Sequence, residues 1–194
     1  MGDLILGADF SQKTFPGWET ENEGNLTFHA SHPSEIRGRF KPHSNSYHML
    51  KTSGFLDDFD ISVSIRFLEG EKEWIHAGVF LRHNTSEGGY GVKISVQATY
   101  TFGYSTKDEN GQLMFNKIMP WAHHSALRAG YKEVNRLRVI CQGSSFRIYL
   151  NGVFATSFQN ERYKMGKIFL VADATENSSI EVRFSDLQVR EVPR

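Results

Sequence analysis

The residue types in this chain that could do chemistry are acids, histidines, and aromatic rings set among polar side chains. Among the acids, Asp57, Asp58 and Asp60 fall in the run "DDFD", which leads into a strand and reads as a turn and an edge. Glu161, in Asn160-Glu161-Arg162, reads as a loop residue. Glycoside hydrolysis requires two carboxyl groups roughly 5 to 10 Å apart across the scissile bond, and neither stretch sets up that pair. The histidines are no better arranged for a metal. His123 and His124 are adjacent instead of four residues apart, His29 and His32 precede Pro33, and His43 and His48 flank an Asn-Ser loop. They read as surface or loop histidines, and no cofactor is expected. A structural calcium is the one metal left open, because Asp9 and Asp186 would approach each other if the chain ends pair.

Rings among polar groups give a more definite pattern. In "EWIHAGVFLRH", alternation puts Trp74, His76, Phe80 and Arg82 on one side and Ile75, Ala77, Val79 and Leu81 on the other, the aliphatic set suiting a core. The same rule on "YGVKISVQ" buries Tyr90, Val92, Ile94 and Val96 and turns Lys93, Ser95 and Gln97 outward. In "FDISVSIRF", Phe59, Ile61, Val63, Ile65 and Phe67 oppose Asp60, Ser62, Ser64 and Arg66. Three such strands would present one continuous polar face carrying aromatics. Sugars suit that surface: rings stack on their apolar faces while Arg, Lys, Asp and Gln hold the hydroxyls. The bland alternative is a plain solvated face, which antiparallel sandwiches show routinely. A sugar-active enzyme using Asp60, His76 and Lys93 is a second expectation. A domain whose exposed hydrophobics bury in a homo-oligomer is a third.

The elements that must position these residues are strands. Some ten or more short alternating runs follow one another, separated by turn clusters such as Asn84-Thr-Ser-Glu-Gly-Gly, Lys107-Asp-Glu-Asn-Gly and Glu176-Asn-Ser-Ser. That spacing indicates an all-β sandwich or barrel. In "FRIYLNGVFATSF", Asn151-Gly152 supplies the two positive-φ residues of a type I′ hairpin. Only "PWAHHSALRAGY", Pro120 to Tyr131, suggests helical turns. The 194 residues contain 15 Phe, 7 Tyr and 3 Trp, enough apolar surface for one domain with a sizeable core. Lys+Arg and Asp+Glu both total 22, so the chain lacks the net basic field that a nucleic-acid partner would need. No stretch reaches the roughly 20 apolar residues of a membrane helix, so no membrane insertion is expected. Cys141, between apolar residues of "LRVICQG", reads as a buried core thiol.

The order "AGVFLRH", "GGYGVKI", "NRLRVICQG", "FRIYLNG", "MGKIFLVAD" and "VRFSDLQVREV", opened by "ADFSQKTFPGW", resembles the concanavalin A-like jelly-roll superfamily. Within it the chain is similar to laminin-G-like and 3-keto-disaccharide hydrolase-like domains. The resemblance covers nearly the whole chain as one domain and implies two antiparallel sheets, one concave. Ligands in that superfamily are commonly held on the concave face or its rim. It also implies that Trp121, His123, His124 and Arg128 lie near that rim, where Trp121 either joins a ligand or plugs the sandwich edge. The Glu-x-Asp-x-(x)-Glu strand that carries catalysis in the superfamily's glycosidases is missing here. The expectation is therefore a two-sheet antiparallel sandwich that binds a carbohydrate or surface glycan without cleaving it. Its expected ligand set is Trp74, His76, Arg82, Lys93, Gln97, Asp60, Arg66, Trp121 and His123. A secreted or cell-surface adhesion module fits that role, although "MGDLILGADFS" does not read as a signal peptide.

Overall fold

The computed structural model describes residues 2–10, 16–21, 26–29, 35–40, 47–73, 75–111, 113–174 and 179–192. Trp74 lies outside them. Among the described residues fifteen strands follow in chain order: β1 (Leu4–Gly7), β2 (Trp18–Thr20), β3 (Leu26–His29), β4 (Glu35–Phe40), β5 (Tyr47–Thr52), β6 (Phe59–Gly70), β7 (His76–Asn84), β8 (Gly88–Ser95), β9 (Thr99–Lys107), β10 (Leu113–His123), β11 (Val134–Gln142), β12 (Ser145–Leu150), β13 (Val153–Gln159), β14 (Lys167–Asp173) and β15 (Ile180–Arg190). They form two antiparallel sheets. Sheet A has the order β13-β12-β11-β6-β15-β4-β3, with β1 also on β15; sheet B has the order β10-β9-β8-β7-β14-β5-β2.

The alternating strands account for the layer between the sheets. Phe59, Ile61, Val63, Ile65 and Phe67 of β6 are buried in one cluster with Ala77, Val79 and Leu81 of β7 and Tyr90, Val92 and Ile94 of β8. Each fully buried aliphatic or aromatic side chain contributes about 1.5–3 kcal/mol through removal of apolar surface from water. Cys141 belongs to this layer, and burial pushes its thiol well above the usual range, so it is unreactive.

The Asn151-Gly152 hairpin is as its sequence dictates, with φ of 49° and 83° at the two turn residues. Asn151 does more than turn the chain. Its Oδ1 accepts from the Arg136 backbone N–H at 2.7 Å, and its Nδ2 donates to the Ala126 carbonyl at 2.7 Å and to Asn135 Oδ1 at 2.9 Å. These bonds tie the hairpin to the loop after β10.

Two expectations are corrected here. Pro120 to Tyr131 holds no helical turn: Pro120 to His123 complete β10, and the rest is irregular. β10 is an edge strand whose ladder to β9 shifts between Lys117 and Met119 and between Met119 and Ala122, where a residue without an N–H is tolerated. The following loop is pinned to the β8–β9 turn by His124 N–H to the Ala98 carbonyl (3.1 Å) and Gly130 N–H to the Val96 carbonyl (2.8 Å).

The second correction concerns Arg82, which does not share a face with His76 and Phe80. The β7–β8 ladder shifts between Leu81 and Asn84, and Arg82 takes a φ of 48°, so alternation breaks and the side chain turns inward, 2% exposed. Nε donates to the Asp57 carbonyl (2.7 Å), Nη1 to the carbonyls of Gly143 (2.7 Å) and Tyr163 (3.3 Å), and Nη2 to Asp58 Oδ1 (3.1 Å). The guanidinium lies over the Phe146 ring at 5.3 Å. Arg82 thus fastens the turns before β6, between β11 and β12, and before β14 at one end of the sandwich. Replacing Arg82 with Met strands these acceptors and is expected to lower stability by about 3–5 kcal/mol, as for other broken buried charge networks. Urea unfolding measures it; a change below about 1 kcal/mol would show that the network contributes little.

Candidate functional site

The outward side of sheet B is not an ordinary solvated face. Cross-strand register sets its rows. Asp173, His76 and Ser95 are neighbours across β14, β7 and β8; Val171, Gly78, Lys93 and Thr101 form the next row; Phe169, Phe80, Gly91 and Gly103 form the third. Phe80, Phe169 and Val171 make a buried cluster of their own, against which Phe115 of β10 packs. The glycines are what allow Phe115 to lie down. A Cβ on Gly91 would come within 2.8 Å of the rings of Phe80 and Phe115, and one on Gly103 within 2.8 Å of Phe115 and 2.3 Å of the Asn116 carbonyl oxygen.

Charge is set directly onto these rings. Lys93 Nζ lies 5.1 Å from the centroid of Phe80 and 4.6 Å from that of Phe115, and 2.5 Å from Asp173 Oδ2. The pair is nearly buried, yet Asp173 Oδ1 has no hydrogen-bond partner. A buried carboxylate oxygen without a donor is costly. Beside it His76 stacks on Trp121, centroids 4.2 Å apart and planes at 24°. Burial lowers the His76 pKa to about 4, outweighing the opposing pull of Asp173, so at neutral pH the imidazole both donates and accepts.

A pair of histidines, His48 and His83, lies across the aromatic cluster. His83 stacks on Phe80 at 5.1 Å and is 1% exposed, with neither ring nitrogen partnered. Its pKa is lowered to about 4 by burial first and by neighbouring His48 second. His48 packs on Phe169 at 4.8 Å and meets Glu21 at 3.4 Å, and burial outweighs Glu21 to lower its pKa as well.

The residues expected from sequence therefore divide. His76, Lys93 and Trp121 come together, Trp121 reaching His76 from the edge strand β10. Gln97, exposed in the β8–β9 turn, and His123, paired with Thr99, border the same end of the sheet. Asp60 and Arg66 do not join: β6 belongs to sheet A, so the expected continuous polar face is split across the sandwich. Alternation sorts core from outside but does not say which sheet a strand enters. Asp60 is occupied there by Arg138, whose Nε and Nη2 donate at 2.9 and 2.6 Å. The sequence-derived set lacks Asp173, Phe115, His48 and His83. Alternation through "KIFLVAD" does put Phe169, Val171 and Asp173 on one side, but its continuous apolar run reads as wholly buried. Asp9 and Asp186 line one open cleft, and among the described residues no group of three or more His, Cys, Asp or Glu side chains could hold a metal ion.

Residues 8–190 match the family model of the 3-keto-alpha-glucoside-1,2-lyase-like domain. The chain belongs to that family. No curated protein matches its sequence. Solved structures similar to this lyase-like domain include the carbohydrate binding module CBM66 from Bacillus subtilis, at 16% identity and a TM-score of 0.64, covering 90% of this chain and 96% of that one. The Bacillus licheniformis beta-glucanase is similar at 10% identity and a TM-score of 0.65 over 100% of both chains. A putative glycosyl hydrolase from Parabacteroides distasonis is similar at 14% identity and 0.60, over 95% of this chain and 92% of that one. At these identities the likeness is one of fold: an all-β, jelly-roll sandwich of the concanavalin A-like type.

The buried histidines give the lyase-like domain an acid sensitivity with a defined sign. Unfolded histidine titrates near 6.5 and the folded groups near 4, so between those values the unfolded state binds more protons. Stability is full above pH 6.5 and falls as pH drops towards 4. For fully buried His83 the loss is on the order of 3 kcal/mol. The urea midpoint is expected to drop between pH 6.5 and 4, and less steeply in His83→Phe; parallel profiles for the two proteins would contradict this.

Proposed function

We propose that the protein is a carbohydrate-binding domain that seats a sugar on the outer face of sheet B. The observation that carries this reading is the His76–Trp121 stack beside the Lys93–Asp173 pair, with Asp173 Oδ1 unpartnered. A sugar ring against the free side of Trp121 would bury its C–H face, and its hydroxyls would meet Asp173, Lys93 and a neutral His76. Gln97 and His123 stand at the border where a longer glycan would continue. Membership of a sugar-named family and a fold shared with the Bacillus subtilis carbohydrate binding module support it. Asp173 is engaged by Lys93, which suits it to orienting hydroxyls and not to attacking a glycosidic carbon. Display outside the cell, as part of an adhesive protein, would suit such a domain.

The test is titration calorimetry after a glycan panel has selected a ligand. Trp121→Ala is expected to weaken binding roughly tenfold, the ~1 kcal/mol scale of ring stacking, and Lys93→Met to weaken it at least as much. Full affinity in both variants would exclude this face.

The family description favours a second reading, elimination across C1–C2 of a 3-keto sugar. A 3-keto group acidifies the C2 proton; His76, kept neutral by burial, would take it, and Lys93 would stabilise the enolate as the C1 substituent leaves with its electron pair. Asp60, on the other sheet, has no part in it. Ultraviolet absorbance of the enone product, formed from a 3-keto-glucoside by wild type and lost in His76→Phe, would establish catalysis; no enone from wild type would remove this reading.

A further inference from the structure

The outward side of sheet A concentrates arginine in a way the composition conceals. The inward neighbours Ile36, Val182, Ile65, Leu137 and Phe146 are buried in the core, so their alternates point out. Register then places Arg37, Arg183 and Arg66 side by side across β4, β15 and β6. Arg39 lies on β4 one step along, opposite Glu181. On the other half of the face, Arg136 is paired with Ser64, Arg138 with Ser62 and Tyr149, and Arg147 with Ile140, while Arg190 faces Asp60. Eight of the chain's twelve arginines are on this one face, and among the described residues no lysine is.

Among the described residues four carboxylates are paired with them. Glu181 holds Arg37 and Arg39, Glu35 holds Arg183 (2.7 Å) and Arg66 (3.6 Å), Asp60 holds Arg138, and Glu69 lies 3.7 Å from Arg39. Burial pushes the Glu181 pKa up, but hydrogen bonds and charge from Arg37 and Arg39 outweigh it and hold the carboxyl below its usual range. Like charges directly opposite on a sheet are unfavourable, so these acids allow the arginines to sit together. Among the described residues Arg136, Arg147 and Arg190 have no carboxylate within ion-pair distance. Arg136 donates to Ser62 Oγ (2.8 Å), Arg147 to Gln142 Oε1 (3.2 Å), and Arg190 to Gln188 Oε1 and the Gly2 carbonyl. Next to them Arg138 lies over the Tyr149 ring at 5.4 Å, and Tyr149 meets Phe154, which is 53% exposed.

We infer that this face binds an acidic polysaccharide. Guanidinium forks match carboxylate and sulfate oxygens two at a time, which lysine cannot do, and the choice of arginine throughout fits that use. The neighbouring Tyr149 and Phe154 offer rings for sugar faces. An arginine-rich face on a chain of zero net charge suits acidic groups carried on sugar rings. A nucleic-acid partner normally needs a basic domain, and this chain has zero net charge. This site is on the opposite side of the molecule from the sugar site proposed above and does not depend on it.

The experiment measures binding of the full chain to heparin, a sulfated polymer, and to polygalacturonate, a carboxylated one, with neutral dextran as control. Binding to either polyanion is expected, weakening steeply with salt, and dextran is expected not to compete. Heparin alone would assign sulfate, and polygalacturonate alone carboxylate. Arg136→Glu/Arg147→Glu, which removes no carboxylate partner, should keep its melting temperature and bind at least tenfold more weakly. Arg136→Lys/Arg147→Lys should fall between. Trp121→Ala should bind the polyanions as wild type does. No retention of wild type, undiminished binding by the Glu variant, or tighter binding to an oligothymidylate than to either polysaccharide would overturn the inference.

Discussion

The apolar stripe that β6 contributes at every second residue, Phe59 to Phe67, is buried against β7 and β8, and the rest of the structure is arranged around that contact. Because side chains in a strand alternate, a buried inward set fixes the outward set with no freedom left. Because β6 pairs with β11 and β15 while β7 pairs with β8 and β14, the short connection between them crosses from one sheet to the other. The outward residues of these consecutive strands consequently end on opposite sides of the molecule and serve different purposes.

On sheet B the outward rows are sunk under aromatic rings. Gly91 and Gly103 let Phe115 approach the backbone, Phe115 and Phe80 floor the Lys93–Asp173 pair, and that pair keeps a charged, hydrogen-bonding group in low-dielectric surroundings. Ionic and polar groups there interact more strongly than in water, and unmet ones cost more. On sheet A the outward rows stay partly wet, and arginines and acids interlock across the strands. The two faces of the sandwich thus differ: one sinks an ion pair and neutral histidines among aromatic rings, and the other sets guanidinium groups in an open array.

Much of the fold was legible in the sequence because strand alternation and turn chemistry are local. The core face of β6, β7 and β8 and the Asn151-Gly152 turn follow from short-range pattern, and the two-sheet architecture follows from the family resemblance of the short motifs. The site was legible only in part. His76, Lys93 and Trp121 were reachable, but Arg82 was misplaced because a ladder shift with positive φ reverses a side chain, and nothing in "FLRHN" announces it. Asp60 and Arg66 were assigned to the wrong surface because sheet membership is a long-range property. Asp173 was hidden at the end of an apolar run. Net charge misled in another way: many acids fall in turns, such as Asp57, Glu71, Glu87, Asp108 and Glu161, so a chain of zero net charge still carries one basic face.

The central claim is that the outer face of sheet B is the surface that holds a sugar. The most direct measurement is an NMR titration of isotope-labelled protein with an oligosaccharide ligand. The account predicts that the Trp121 indole N–H and the amides of His76, Gly78 and Lys93 shift first and saturate together. Shifts confined to the far end of the sandwich, around Asp58, Gly143 and Lys164, with sheet B unmoved, would contradict it.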